Sequence, residues 1–231
     1  MAENEQKVAL LAGASGFVGR LALEVLLDST DISRVFAVTR RPLGREHPRL
    51  ANRIVQFEQI ESQLKGLKCH FALCCLGTTI RQAGSEQAFR AADVDAVLAF
   101  ARAAKAAQAQ RFVVVSSAGA DPKSKNFYLR TKGEMEQALT GIGFTSLDIL
   151  EPSILLGWRG EIRPLELLAS LLMPLVNPFL TGKREPWRGI PARTVAAAMV
   201  GVARSGRRGV HRYTYSEIAA LARIKPVRTV K

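Results

Sequence analysis

Tyr128 and Lys132 stand at i and i+4 in Tyr128-Leu129-Arg130-Thr131-Lys132, a spacing that on a helix turns both side chains to one face. A phenol is by itself a poor acid or base near neutrality, with an ordinary pKa of about 10. An adjacent ammonium stabilises the phenolate, so the pair can give a proton to a substrate oxygen, or take one from it, while a hydride moves elsewhere in the site. Ser116 ends an apolar run just upstream, and its hydroxyl is placed to hydrogen-bond the same oxygen, with Ser117 as a close competitor. Tyr and Lys at this spacing are common on ordinary helix surfaces, so the motif gains meaning only beside a hydride carrier.

A place for such a carrier is written near the start of the chain. Gly13-Ala14-Ser15-Gly16-Phe17-Val18-Gly19 directly follows an apolar run and opens a helical pattern, the context of a dinucleotide loop. Gly13 permits the tight turn, Gly16 lets the backbone approach a diphosphate, and Gly19 allows close packing of helix on strand. Ser15, Phe17 and Val18 complete the cradle, and the diphosphate is expected at the helix N-terminus. An NAD-selective site carries an acid about 20 residues further on, at the end of the second strand. Here that place reads Val38-Thr39-Arg40-Arg41. Arg40 and Arg41 suit a 2′-phosphate, because a guanidinium offers planar, permanently charged, bidentate donors. NADP(H) is therefore expected over NAD(H); the competing reading is a solvated Arg-Arg loop. Gly77 and Thr78, after the fourth strand, are expected in the same crevice.

The elements that must hold these groups alternate along the chain. Expected strands are Val8 to Ala12, Val35 to Thr39, Ile54 to Phe57, Phe71 to Leu76, Phe112 to Ser116 and Thr145 to Leu150. Helical patterns lie near Val18 to Asp28, Glu61 to Leu64, Ser85 to Gln108 and Phe127 to Thr140. This alternation predicts an α/β fold, a doubly wound parallel sheet of Rossmann type forming one domain over residues 1–231. Beyond Glu151-Pro152 the pattern decays, and a small C-terminal substrate-side cap is expected mainly within residues 157–193, with a helix from Leu165 to Leu172. A helix from Thr194 to Ala203, a strand around Val210 to Thr214 and a helix from Ser216 to Arg223 would return to the sheet.

Composition narrows the function classes. The chain has 231 residues, 48% hydrophobic and 23% charged, ordinary values for a globular fold. Cys69, Cys74 and Cys75 have neither C-x-x-C spacing nor an even count, so buried reduced thiols are expected and no metal site. No apolar stretch reaches the ~20 residues of a spanning helix. The polar, acidic start, Met1 to Gln6, resembles no signal peptide, and a cytoplasmic protein is the expectation. Of the formal charge of +13, the segment from Arg159 to Lys231 contributes fourteen Lys and Arg against four acids, a net +10. That basic third suits an anionic partner, a funnel for phosphorylated ligands or a solvated surface; no nucleic-acid-binding motif accompanies it. The alanines of the long middle helix fit packing on the sheet or on a partner helix, and a homodimer is compatible with both. His47, His70 and His211 share no catalytic or metal spacing. Trp158 and Trp187 flank the expected cap.

Together these residues resemble the short-chain dehydrogenase/reductases of the atypical branch, and more closely the Tat-interacting oxidoreductase-like proteins and their small bacterial relatives. The similarity rests on the glycine loop, Cys74-Cys75-Leu76-Gly77-Thr78-Thr79, Ser116-Ser117-x-Gly119-Ala120-Asp121, Tyr128-x-x-x-Lys132-Gly133-Glu134 and Pro152-Ser153-Ile154-Leu155-Leu156. It implies Ser116, Tyr128 and Lys132 as the catalytic set, Lys132 also holding the nicotinamide ribose, and Pro152, Ser153 and Ile154 bordering the nicotinamide. Asp93 falls where such enzymes often carry Asn or Asp on the long helix. The chain departs from the group's pattern at Glu151, where Arg is common, and at Ile190-Pro191-Ala192-Arg193, where a valine-aspartate pattern is usual. Two functions follow: an NADP(H)-dependent oxidoreductase acting on a small carbonyl or alcohol, or an NADPH-binding regulatory or interaction protein with little turnover.

Overall fold

The computed structural model describes residues 6–157, 177 and 180–223. Its strands are β1 (Lys7–Ala12), β2 (Ile32–Thr39), β3 (Leu50–Ile54), β4 (Phe71–Cys74), β5 (Arg111–Val115), β6 (Ser146–Leu150), β7 (Leu155–Leu156), β8 (Ile190–Pro191) and β9 (Gly209–Tyr213). The helices are α1 (Phe17–Asp28), α2 (Ile60–Gln63), α3 (Ile80–Ala83), α4 (Glu86–Arg90), α5 (Ala96–Ala106), α6 (Phe127–Thr140), α7 (Ala192–Ala203) and α8 (Tyr215–Leu221). Seven strands form one parallel sheet in the order β3-β2-β1-β4-β5-β6-β9.

The short apolar runs become central strands because both of their faces are buried. Along β1, Leu10 and Ala12 belong to one core layer with Phe100, Ala104 and Leu139, while Ala9 and Leu11 belong to the other with Leu26, Val195 and Met199. Helices α1 and α7 cover one face and α5 and α6 the other. Strand order reverses between β1 and β4, which opens a crevice at their carboxyl ends where an α/β sheet binds its ligand.

Two elements differ from the sequence expectation for physical reasons. The third strand is Leu50–Ile54, ahead of the expected Ile54 to Phe57, and Phe57–Gln59 is a 3-10 turn. It is an edge strand with partly exposed residues, so its sequence needs no apolar run; pairing with β2, from Val35↔Leu50 to Thr39↔Ile54, decides its place. The long middle helix begins as expected, Ser85 accepting from the Ala88 N–H at 3.1 Å. It is then interrupted by a π turn over Ala91–Asp95, a feature frequent at functional sites.

Of the expected cap, Trp158 and the helix from Leu165 to Leu172 lie outside the described residues. What is described is tied together by a separate two-stranded parallel ladder, β7 with β8, by Ser153 Oγ donating to the Arg188 carbonyl, and by the Asn177 side chain bridging the N–H and carbonyl of Gly189, each at 2.9 Å. The unusual Ile190-Pro191 sequence thus has a structural use: Ile190 is a ladder residue, and Pro191 caps α7.

Candidate active site

The turn from β1 into α1 holds only because three of its residues lack a side chain. Gly13 adopts φ +79°, and a Cβ there would lie 2.5 Å from the Cys75 carbonyl oxygen. A Cβ on Gly19 would lie 2.0 Å from the Gly13 carbonyl oxygen, so Gly19 admits the helix against its own loop rather than against a strand. Gly16 is the N-cap residue of α1, its N–H donating to the Gly13 carbonyl at 2.9 Å, and no side chain caps the helix. The N-terminal end of α1 is thereby open to an anionic group, with the macrodipole favouring one. Ser15 is exposed on the loop.

This turn borders a crevice of about 490 Å³ whose walls include Gly16, Phe17, Val18, Gly77, Thr78, Ser116, Ser117, Tyr128, Lys132, Pro152, Ser153 and Ile154. Segments far apart in sequence are brought to one place because β1, β4, β5 and β6 all end there. Arg40 and Arg41 do not line the crevice; they are exposed at the carboxyl end of β2. Their loop is tied down from below. Thr39 Oγ1 donates to the Arg41 carbonyl at 2.8 Å, and Asn52 Nδ2 donates to Thr39 Oγ1 at 2.7 Å and to the Ala37 carbonyl at 3.0 Å. Asn52 is a positioning residue that sequence reading missed, since nothing near it in the chain marks its partner.

Lys132 is buried, and its Nζ lies 2.5 Å from Asp93 Oδ1. Asp93, fully buried on the π turn, also accepts from the Thr78 N–H at 2.8 Å. Burial alone would lower the Lys132 pKa, but the Asp93 carboxylate, with Tyr128, outweighs it and raises the value. The ammonium is therefore held charged in the crevice. The Tyr128 ring packs on buried Phe89, centroids 5.6 Å apart. Gly133 lets the Asp121-Pro122 backbone close onto α6, since a Cβ there would meet it at 2.3 Å. The α6 N-terminus is fixed by Asn126, which accepts from the Leu129 N–H at 3.1 Å.

The two serines differ in partner and burial. Ser116 Oγ donates to Glu136 Oε1 at 2.5 Å in a buried setting, which leaves only its lone pairs for another partner. Ser117 is half-buried on the same wall. Glu136 stands at i+8 from Tyr128 on the face that also carries Lys132, and it accepts from Arg212 Nε at 3.0 Å. Arg212 lies 3.6 Å from Glu151 Oε1. At Glu151, the departure from the pattern that the resemblance implies, a guanidinium reaches the position from β9.

Burial and the neighbouring Glu136 push the Glu151 carboxyl up from 4.5 to about 7, against the pull of Arg212. Between those values the folded protein holds a proton that the unfolded chain releases, so stability falls as pH rises through this window. Glu151→Gln removes that penalty. Thermal melts are expected to show the variant gaining on the wild type from pH 5 to pH 8, by on the order of 2–3 kcal/mol. A pH-independent difference would show that the carboxyl titrates normally.

Burial pushes the Cys69 and Cys74 thiols up to about 12, which keeps them protonated and unreactive. Trp187 packs on Gly119, where a Cβ would meet its ring at 2.9 Å; it is half-exposed and does not line the crevice.

With this geometry in place, comparison with known proteins is informative. A family model described as NAD(P)H-binding matches residues 13–155. HTATIP2 of Rattus norvegicus is 34% identical over 203 residues, 85% of this chain and 81% of that one. FMP52-1 of Scheffersomyces stipitis is 36% identical over 84% and 86% of the two chains, and FMP52 of Coccidioides immitis 29% over 92% of each. Among solved structures, MoeE5 in complex with UDP-glucose and NAD superposes with a TM-score of 0.66 at 18% identity, covering 93% of this chain and 80% of that one. A UDP-N-acetylglucosamine 4-epimerase from Methanobrevibacter ruminantium gives 0.67 at 17%, covering 91% and 77%. At such identity these structures speak for the fold alone. One expectation is corrected: the FMP52 relatives are named as mitochondrial proteins, which overturns the cytoplasmic assignment. A polar first few residues say nothing of compartment.

Proposed function

This chain belongs to the NAD(P)H-binding family of Rossmann proteins, with HTATIP2 and FMP52 among its relatives, and from that premise we propose that it is an NADP(H)-dependent oxidoreductase reducing a small carbonyl or oxidising the corresponding alcohol. The observation that carries the reading is the buried Asp93–Lys132 pair beside Tyr128, on the wall facing the glycine loop. A surface lysine would have no reason to be tied to a fully buried carboxylate.

The residues present fit a dinucleotide. The side-chain-free turn at Gly13, Gly16 and Gly19 and the uncapped end of α1 would hold its diphosphate, Arg40 and Arg41 its 2′-phosphate, Gly77 and Thr78 the adenosine side, and Pro152 to Ile154 the nicotinamide. When bound, the nicotinamide supplies or accepts the hydride. Lys132, kept charged by Asp93, would also hold the nicotinamide ribose. Its ammonium stabilises the negative charge that the Tyr128 oxygen acquires on giving up its proton. Tyr128 moves that proton to or from the substrate oxygen. Ser117 would orient the same oxygen with its hydroxyl; Ser116, whose proton goes to Glu136, can only accept, and so would contact the hydroxyl of an alcohol substrate but not a carbonyl oxygen.

Cofactor choice is tested by calorimetric titration of the Arg40→Ala/Arg41→Ala double variant. NADPH is expected to bind roughly 10–100-fold more weakly and NADH to change by less than about threefold. Equal losses for both nucleotides would refute the phosphate-reading role. Turnover is sought by screening small aldehydes and ketones for NADPH oxidation.

A further inference from the structure

The opposite end of the sheet carries a second concavity. About 720 Å³ in volume, it is formed at the amino ends of β1, β4, β5 and β6 and by the loop after α7. Among the described residues its lining includes Lys7, Lys68, Arg111, Arg204 and Arg208 and no Asp or Glu. The dinucleotide crevice lies at the carboxyl ends of the same strands, roughly 15 Å away for strands of this length, so the two are separate.

Two of these cations are fixed in place. Arg111 Nη1 donates to the Val202 carbonyl at 2.8 Å and to Ser205 Oγ at 2.7 Å, its Nη2 donates to the Arg207 carbonyl at 2.7 Å, and buried Asp148 lies 3.5 Å away. Arg204 pairs with Asp31 at 2.7 Å. These carboxylates offset two of the five charges. Lys7, Lys68 and Arg208 have no ion pair among the described residues, and Arg204 Nε is buried without a hydrogen-bond partner there. Buried donors are normally satisfied, and like charges converging on one hollow repel unless an anion joins them. The volume falls within the range of small-ligand sites, but the lining is cationic rather than apolar.

We propose that this concavity is a second ligand site, taking a small anion that carries two or more phosphate groups. Arg111 and Arg204 form its preorganised part, while Lys7, Lys68 and Arg208 close on the ligand from separate segments, so several phosphates are needed to engage them together. The basic C-terminal third thereby acquires a local target, since Arg204 and Arg208 belong to it and meet Lys7 and Lys68 only in the folded chain.

The test is calorimetric titration of the full chain with inorganic tripolyphosphate at fixed ionic strength, with NADPH saturating so that the glycine loop is occupied. Saturable one-to-one binding is expected. Lys68→Glu/Arg208→Glu should weaken it by at least about tenfold, whereas Lys123→Glu/Lys125→Glu, an equal charge change on exposed residues elsewhere, should leave it within about twofold. NADPH affinity should be the same in all three proteins, and the contrast between the two variants stands whether or not NADPH binds. Absence of saturable binding, or equal losses in both variants, overturns the proposal. Retention on phosphatidylcholine vesicles doped with phosphatidylinositol bisphosphate, displaced by tripolyphosphate and lost in the first variant, would assign the phosphates to a lipid headgroup; no retention would assign them to a soluble ligand, and either result upholds the site.

Discussion

Tyr128→Phe is expected to lower turnover of any carbonyl substrate by roughly 10²–10⁴-fold, the usual worth of a positioned proton donor, while NADPH affinity stays within about threefold. The substitution removes one oxygen and keeps the ring that packs on Phe89, so the fold and the crevice wall remain. A fall in kcat and kcat/KM together, with unchanged KM, is the signature of an interaction made only in the transition state. Unchanged turnover would remove Tyr128 from the chemistry. Should the wild type bind NADPH yet oxidise it with no carbonyl in the screen, the regulatory reading would take the place of the catalytic one.

Asp93→Ala is expected to destabilise the protein by about 3–5 kcal/mol near pH 7, because it strands the Lys132 ammonium in a buried site without its partner. The pH dependence follows from the direction of the shift. With Asp93 present, the Lys132 pKa is raised, so the pair's contribution holds below 10.5 and is lost only as pH climbs through the raised value. Without Asp93, burial dominates and lowers it; the folded protein then binds fewer protons than the unfolded chain, and stability recovers as pH rises. Denaturant melts of Asp93→Ala at pH 7 and pH 9.5 check this. Asp93→Asn keeps the acceptor for the Thr78 N–H and should cost less, but should move the pH profile of turnover in the same sense as Asp93→Ala. A loss of stability that does not vary with pH would mean that Lys132 is not the group left exposed to burial.

Much of the site was legible in the chain because its signals are local. Gly13 and Gly19 are required by backbone contacts within one turn and with the next strand's exit, and Tyr128 and Lys132 by the repeat of a single helix. Arg40 and Arg41 drew attention through the acid they replace, and the structure places them exposed at the end of β2 rather than in the crevice wall. Less was legible where a side chain meets a partner from another element. Asp93 was visible only as a position on a helix, and its pairing with Lys132 depends on the π turn that places it. The involvement of Ser116 with Glu136 could have been suspected from the continuation of the Tyr128–Lys132 face to Glu136, but not the direction in which its hydroxyl donates. Phe89, Asn52 and Arg212 carried no signal.

The sequence by itself determined the alternation of strands and helices, the dinucleotide turn and the shared helix face of Tyr128 and Lys132, since each is a matter of spacing within an element or across one turn. The tertiary structure alone decided which charges are buried and what they face: Asp93 against Lys132, Glu136 between Ser116 and Arg212, Glu151 beside both, and five cations around one hollow at the far end of the sheet. The physical reason is that strand order and register, set by packing over the whole core, bring together residues whose separation along the chain carries no information about their distance in space.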